Sequence, residues 1–169
     1  MPSLKIGDIS PNFQAKTTLD DIDFYDWLGN SWGVLLSNPA DFTPVCTTEL
    51  GLLTAKLKDE FNRRNVKVIA LSVDSIKAHQ KWIKDINETQ RTRIEFPIIA
   101  DYNKWISFLY GMLPPHESLT TTVRSVFIID PDKRIRFMMD YPSTTGRNFN
   151  ELLRVIDSLQ FTDNLKLAM

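Results

Sequence analysis

The apolar positions of the chain switch between two periods. "WGVLL" (32–36) is a short apolar run between the polar stretches "GNS" and "SNP", and it predicts a buried strand. From Thr43 onward the spacing becomes helical. Leu50, Leu53, Leu57 and Phe61 recur on one side, while Lys56, Lys58, Asp59, Glu60, Arg63 and Arg64 supply a wet face. "VKVIALSV" (66–73), rich in β-branched residues, predicts a second buried strand. Ser75 then caps a helix that turns Ile76, Trp82, Ile83 and Ile86 inward. "FPIIA" predicts a short strand and "NKWISFLYG" a helix closed by Gly111. "TTVRSVFIID" and "RIRFMMDY" flank the tight turn "PDK" as a hairpin. A last helix, "NFNELLRVIDSL", starts at an Asn cap and carries Leu152, Val155, Ile156 and Leu159. Strands alternating with helices predict an α/β fold, a mixed sheet with helices on both faces.

Composition adds limits. At 169 residues the chain is read as one domain, 1–169, and 43% apolar residues with ten Phe and four Trp can fill a core. The net charge of −1 gives no reason to expect DNA, RNA or an anionic membrane as partner. The start, "MPSLKIGD", is too polar for a signal peptide, and no apolar run approaches the ~20 residues of a membrane span. One cysteine excludes an internal disulfide and fits a reducing, cytoplasmic setting. With only two histidines beside it, a structural zinc site within the chain is not expected. Nucleotide-binding glycine motifs are absent too. Thiol chemistry at Cys46 is what remains.

Pro44 suits a first helical position, because its missing N–H would be unpaired there anyway. Thr43 is then the N-cap and Cys46 lies in the first turn, three residues on, so hydroxyl and sulfur can share one side of the helix. The positive end of the helix favours the thiolate, which is the reactive form. The plain alternative is a small buried hydrophobe without chemistry. Arg124, inside the apolar "TTVRSVFIID", also has two readings. It is an edge residue whose head reaches water, or a buried counter-charge for the Cys46 thiolate.

"PADFTPVC" has the form P-x-x-x-T-x-x-C, with Pro39, Thr43 and Cys46 in register, and closely resembles the active-site loop of peroxiredoxins, thiol peroxidases on a thioredoxin-like fold. "DFTPVCTTELG", "NFQAKTT", "SWGVL", "FPIIAD" and "YPSTTGRNFNELLRVIDSLQ", with the single thiol, resemble the one-cysteine, peroxiredoxin 6-type branch over nearly the whole chain. The resemblance implies that Cys46 is the peroxidatic nucleophile, that Thr43 bonds to the peroxide and that Pro39 shields the pocket. Arg124 would hold thiolate and peroxide, oriented by a network of Glu49 and Arg147. It implies hydroperoxide substrates, no metal or bound cofactor, and an external thiol reductant, with glutathione and a glutathione transferase as first candidates. A homodimer is implied as well.

The chain departs from that pattern in three places. Asn38 and Ala40 stand where the branch usually has His and Arg, which predicts a weaker site. The segment "GNSWG", which resembles the serine motif to which the branch's phospholipase activity is attributed, places Ser31 before a strand rather than after one, and Tyr25 replaces the usual upstream histidine. His79, near Ile76 and Ile83, reads as a helix-face residue and His116 as a loop residue, so the sequence argues against lipid hydrolysis. The chain ends at "LKLAM", short of the family's C-terminal segment, and "PPHESLTTTV" is shorter than its counterpart, so a weakened dimer is expected. The rival reading is a catalytically weakened paralogue acting as a structural or interaction protein.

Overall fold

The computed structural model describes residues 3–113 and 122–168, with side chains to Lys166; His116 and most of "PPHESLTTTV" lie outside the described residues. In chain order the elements are β1 (Gln14–Ala15), β2 (Ile22–Asp23), α1 (Phe24–Leu28), β3 (Trp32–Ser37), α2 (Pro44–Ala55), α3 (Lys58–Arg63) and β4 (Val66–Ser72). There follow α4 (Ile76–Thr89), β5 (Ile98–Ala100), α5 (Trp105–Leu109), β6 (Arg124–Ile129), β7 (Ile135–Tyr141) and α6 (Phe149–Ala168).

Five strands form one mixed sheet in the order β5-β4-β3-β6-β7, the thioredoxin-like arrangement expected from the sequence. β3 pairs in parallel with β4, and β4 with β5; β6 runs antiparallel to both β3 and β7. Because β3, β4 and β5 succeed one another in the same direction, crossovers of one hand put α2, α3 and α4 on the same face. That face holds a core of Val34, Leu36, Leu50, Phe61, Ala70, Trp82, Val126 and Ile128, closed by Phe149 and Leu152 of α6. The opposite face packs Leu35, Ile69, Leu71, Phe127 and Ile129 against Phe24 and Leu28 of α1 and Ile106 of α5. Helices therefore cover both faces, and β3, at the centre, is buried along its whole length.

Three elements differ from the sequence pattern. The helix starting at Pro44 is two helices: α2 stops at Lys56, and Leu57 (φ −115°, ψ −6°) starts α3. The bend lets Leu53 and Phe61, eight positions apart, both reach the same core. The last helix runs on to Ala168, since no glycine or proline stops it and Arg136 of β7 holds Asp163 on its extra turns. The N-terminal β1/β2 pair and α1 were not anticipated; Asp23 caps α1 by accepting from the Asp26 N–H. Among the described residues no helix is long and apolar enough to cross a membrane.

Candidate active site

Cys46 lies in the first turn of α2 and is wholly buried. Thr43 has the extended backbone of an N-cap, but its hydroxyl donates to the Ala40 carbonyl at 3.2 Å rather than capping the helix. The loop before it carries a local constraint at Phe42, whose φ of +64° lies in the left-handed region that a bulky residue rarely adopts.

Alternation along β6 explains the odd arginine. Arg124, Val126 and Ile128 share one face, the face α2 covers, so the guanidinium at the first residue of β6 points toward the start of α2. It is 1% exposed, which excludes the reading of a head reaching water. Its Nη1 donates to Cys46 Sγ at 3.1 Å and to Glu49 Oε1 at 2.5 Å, and Nη2 donates to the Ser143 carbonyl at 2.6 Å.

Glu49, one turn after Cys46 and also buried, is the hub. Its Oε2 accepts from the Arg147 backbone N–H at 2.5 Å and from Arg147 Nε at 3.0 Å, and its Oε1 accepts from Arg147 Nη2 at 3.1 Å. Arg147 donates further to the Ser37 and Ser125 carbonyls at 2.9 and 2.8 Å and to Asn38 Oδ1 at 2.7 Å. Burial pulls its guanidinium below the ordinary arginine value, and the Glu49 carboxylate opposes that shift.

Cys46, Glu49, Arg124 and Arg147 are thus one hydrogen-bonded unit. Two guanidiniums against one carboxylate leave a single buried positive charge over, and a thiolate at Cys46 cancels it. Uncompensated charge in a buried site is costly, and the sulfur is the group the fold sets beside that surplus cation. Pro39 is buried and Thr43 half-buried on the loop, without a hydrogen bond to the sulfur. Asn38, expected only as a lost histidine, is built into the network as an acceptor for Arg147. Its Nδ2 and Arg124 Nε are buried donors with no acceptor among the described residues.

Elsewhere, Ser31 precedes β3 and its hydroxyl bonds to Asn65 Oδ1. His79, read as a helix-face residue, lies on the buried face of α4, with one ring nitrogen on Asp41 and the other on the Ile99 carbonyl. Ser72 also bonds to Asp41, so this serine, aspartate and histidine meet with the carboxylate in the middle and no ring nitrogen facing the hydroxyl.

Known proteins resemble the chain in sequence and in fold. Residues 6–138 match the model of the AhpC/TSA family. The chain is 54% identical over 165 residues to a 1-Cys peroxiredoxin of Dictyostelium discoideum, covering 98% of this chain and 68% of that protein. A cysteine-to-serine variant of peroxiredoxin 6 from Arenicola marina superposes with a TM-score of 0.90 at 47% identity, over 95% of this chain and 76% of that one. A yeast mitochondrial 1-Cys peroxiredoxin, described with thiol resolution through glutathione/thioredoxin systems, superposes with a TM-score of 0.89 at 54% identity, over 95% and 78%. A lone thiol at the start of α2, faced by the first arginine of β6 on a thioredoxin-like sheet, thus comes with sequence identity along nearly the whole chain, and the chain belongs to the AhpC/TSA family, within the one-cysteine peroxiredoxins.

Proposed function

We propose that this peroxiredoxin, one domain over 1–169, is a thiol peroxidase that reduces hydrogen peroxide and small organic or lipid hydroperoxides at Cys46. The observation that carries the proposal is the buried Arg124 Nη1 donating to Cys46 Sγ at 3.1 Å, within a unit that is short of one negative charge. The thiolate attacks the near peroxide oxygen. An S–O bond forms, the O–O bond breaks, and the far oxygen leaves with a proton as water or alcohol; sulfur is oxidised to the sulfenate and the peroxide reduced. Arg124 Nε, a buried donor without an acceptor, suits a peroxide oxygen in transit. Thr43 would bond to the peroxide and Pro39 would keep bulk water from the pocket.

The chain has no second cysteine, so the sulfenic acid needs a thiol from another molecule. Glutathione is our first candidate, with a glutathione transferase as helper, in a cytoplasmic setting. A homodimer is the expected assembly, and β7, the outer strand of the sheet with Met139 and Asp140 exposed, offers an edge for it. The scaffold alternative draws on Asn38, yet Asn38 serves as a ligand of Arg147, which favours a working site. The test is peroxide consumption with excess thiol: Cys46→Ser should abolish it, and retained turnover would sink the proposal.

A further inference from the structure

The first half of β4 is paired on one side only. The Asn65 and Leu71 carbonyls accept from Trp32 and Asn38, so odd-numbered positions here turn their N–H and C=O groups toward β3. Val66, Val68, Ala70 and Ser72 therefore turn theirs toward β5. There the Ala70 N–H donates to the Pro97 carbonyl at 3.1 Å and the Ser72 carbonyl accepts from the Asp101 N–H at 2.9 Å. β5 stands opposite β4 only from Ala70 to Ser72, and Pro97 is the reason. The next bond of a parallel ladder would run from residue 97 to the Val68 carbonyl, and proline has no N–H to give. Among the described residues no main-chain group bonds to Val66 or Val68 on this side.

This open edge faces a cavity of about 290 Å³, near the lower end of the range for small-ligand sites. Its walls come from both core layers. Leu53 and Phe61 belong to the face that α2 and α3 cover, Trp27 to the opposite one, and Phe96 and Pro97 lie across from β4. Leu19, exposed, stands at the mouth. The cavity is thus a slot that continues the plane of the sheet, where a longer β5 would lie. Residues 95–97 line it where a further strand would have to run, which leaves room for a ring rather than for an extended chain. The rim charges are already engaged: Lys58 pairs with Glu95, and Lys67 donates to the Trp27 carbonyl at 2.6 Å. What stays unmet is a row of main-chain groups, the Val66 carbonyl, the Val68 N–H and the Val68 carbonyl, at the side of a largely apolar slot. We propose that the slot binds a flat, uncharged aminoheterocycle, for which adenine is a simple model. The exocyclic amino group donates to the Val66 or Val68 carbonyl, the neighbouring ring nitrogen accepts from the Val68 N–H, and the ring faces lie between the two core layers. Cys46 follows the C-terminal end of β3, which runs parallel to β4, so this site sits at the opposite end of the sheet and does not rest on the reading of Cys46.

Two measurements on the native protein decide the matter. The first needs no ligand. Corrected for intrinsic rates, the Val68 amide should exchange with solvent at least about tenfold faster than the amides of Lys67 and Ile69, whose N–H groups face β3. Equal protection would show the edge to be paired and would overturn the proposal. The second is a titration with adenine followed by amide NMR shifts. Adenine should bind with a dissociation constant of about 0.1–0.5 mM and move the amides of residues 66–68. At about ten times that concentration it should slow exchange of the Val68 amide about tenfold, since only the free protein then exchanges there. Indole is as flat but has no ring acceptor beside its donor, and it should bind at least about tenfold more weakly. Indole binding as tightly as adenine would make the slot an unselective apolar hole and overturn the ligand class. No shift with adenine at about 5 mM, or shifts centred on Cys46 and Glu49 instead of β4, would overturn the site itself.

Discussion

Arg124→Met removes the feature on which the catalytic account depends. The substitution keeps much of the volume and deletes the donations to Cys46 Sγ at 3.1 Å, Glu49 Oε1 at 2.5 Å and the Ser143 carbonyl at 2.6 Å. The buried charge changes as well: Arg147 and Glu49 then cancel, and nothing is left over to offset a thiolate. Removing a fixed donor that faces developing negative charge costs about 2.7–4 kcal/mol of transition-state stabilisation, a rate loss of about 10²–10³-fold. Folding should survive. Glu49 retains the backbone and side-chain donations of Arg147, so the loss should lie near or below the ~3 kcal/mol lower end for a broken buried pair. The assay is stopped-flow tryptophan fluorescence with stoichiometric hydrogen peroxide, Trp82 being bonded to the residue next to Cys46. Mass spectrometry would place the added oxygen. Arg154→Met, at an exposed pair with Glu151, serves as control. A folded Arg124→Met protein reacting within about threefold of native would refute the reasoning.

Glu49→Gln should cost about 3–5 kcal/mol, because it turns an amide NH2 toward donors from two guanidiniums and a backbone N–H. An unchanged urea midpoint would contradict the hub role. On the acid side, hydrogen bonds from Arg64 hold the Asp157 carboxyl below its usual range, and those from Arg136 do the same for Asp163. Both lowered groups stabilise the fold fully above the unfolded carboxyl value of about 4, and that contribution is lost as pH falls through their folded values. The thermal transition of the native chain should therefore drop more steeply below about pH 4 than that of an Asp157→Asn, Asp163→Asn double variant. Parallel curves would show that these part-exposed pairs contribute nothing to anchoring α6.

What could be read from the sequence was what is local or periodic. β3 is an apolar run and β4 is rich in β-branched residues, Pro44 marks the start of α2, and an arginine inside an apolar strand stands out against its neighbours. The two-residue strands β1 and β2 are too short to show a period, though "DFYDWLG" carried both a cap and a glycine stop for α1. The break at Lys56–Leu57 left no Pro or Gly to announce it. Partners distant along the chain were illegible from pattern alone. Arg147 meets Glu49 across 98 positions, and its role came only from resemblance to a family. His79 reads as a helix-face residue because nothing in its own helix reveals Asp41, 38 positions away. Asn38 was read as a loss, since a sequence shows which residue has been replaced but not the arginine that its replacement binds.

The central claim is that a buried surplus positive charge makes Cys46 a fast peroxide nucleophile. Its most direct test is the second-order rate of Cys46 oxidation by stoichiometric hydrogen peroxide in the native chain. The account predicts a rate orders of magnitude above that of free cysteine, with one oxygen added at Cys46. A rate equal to free cysteine would contradict it and leave the Arg124 contact a structural remnant.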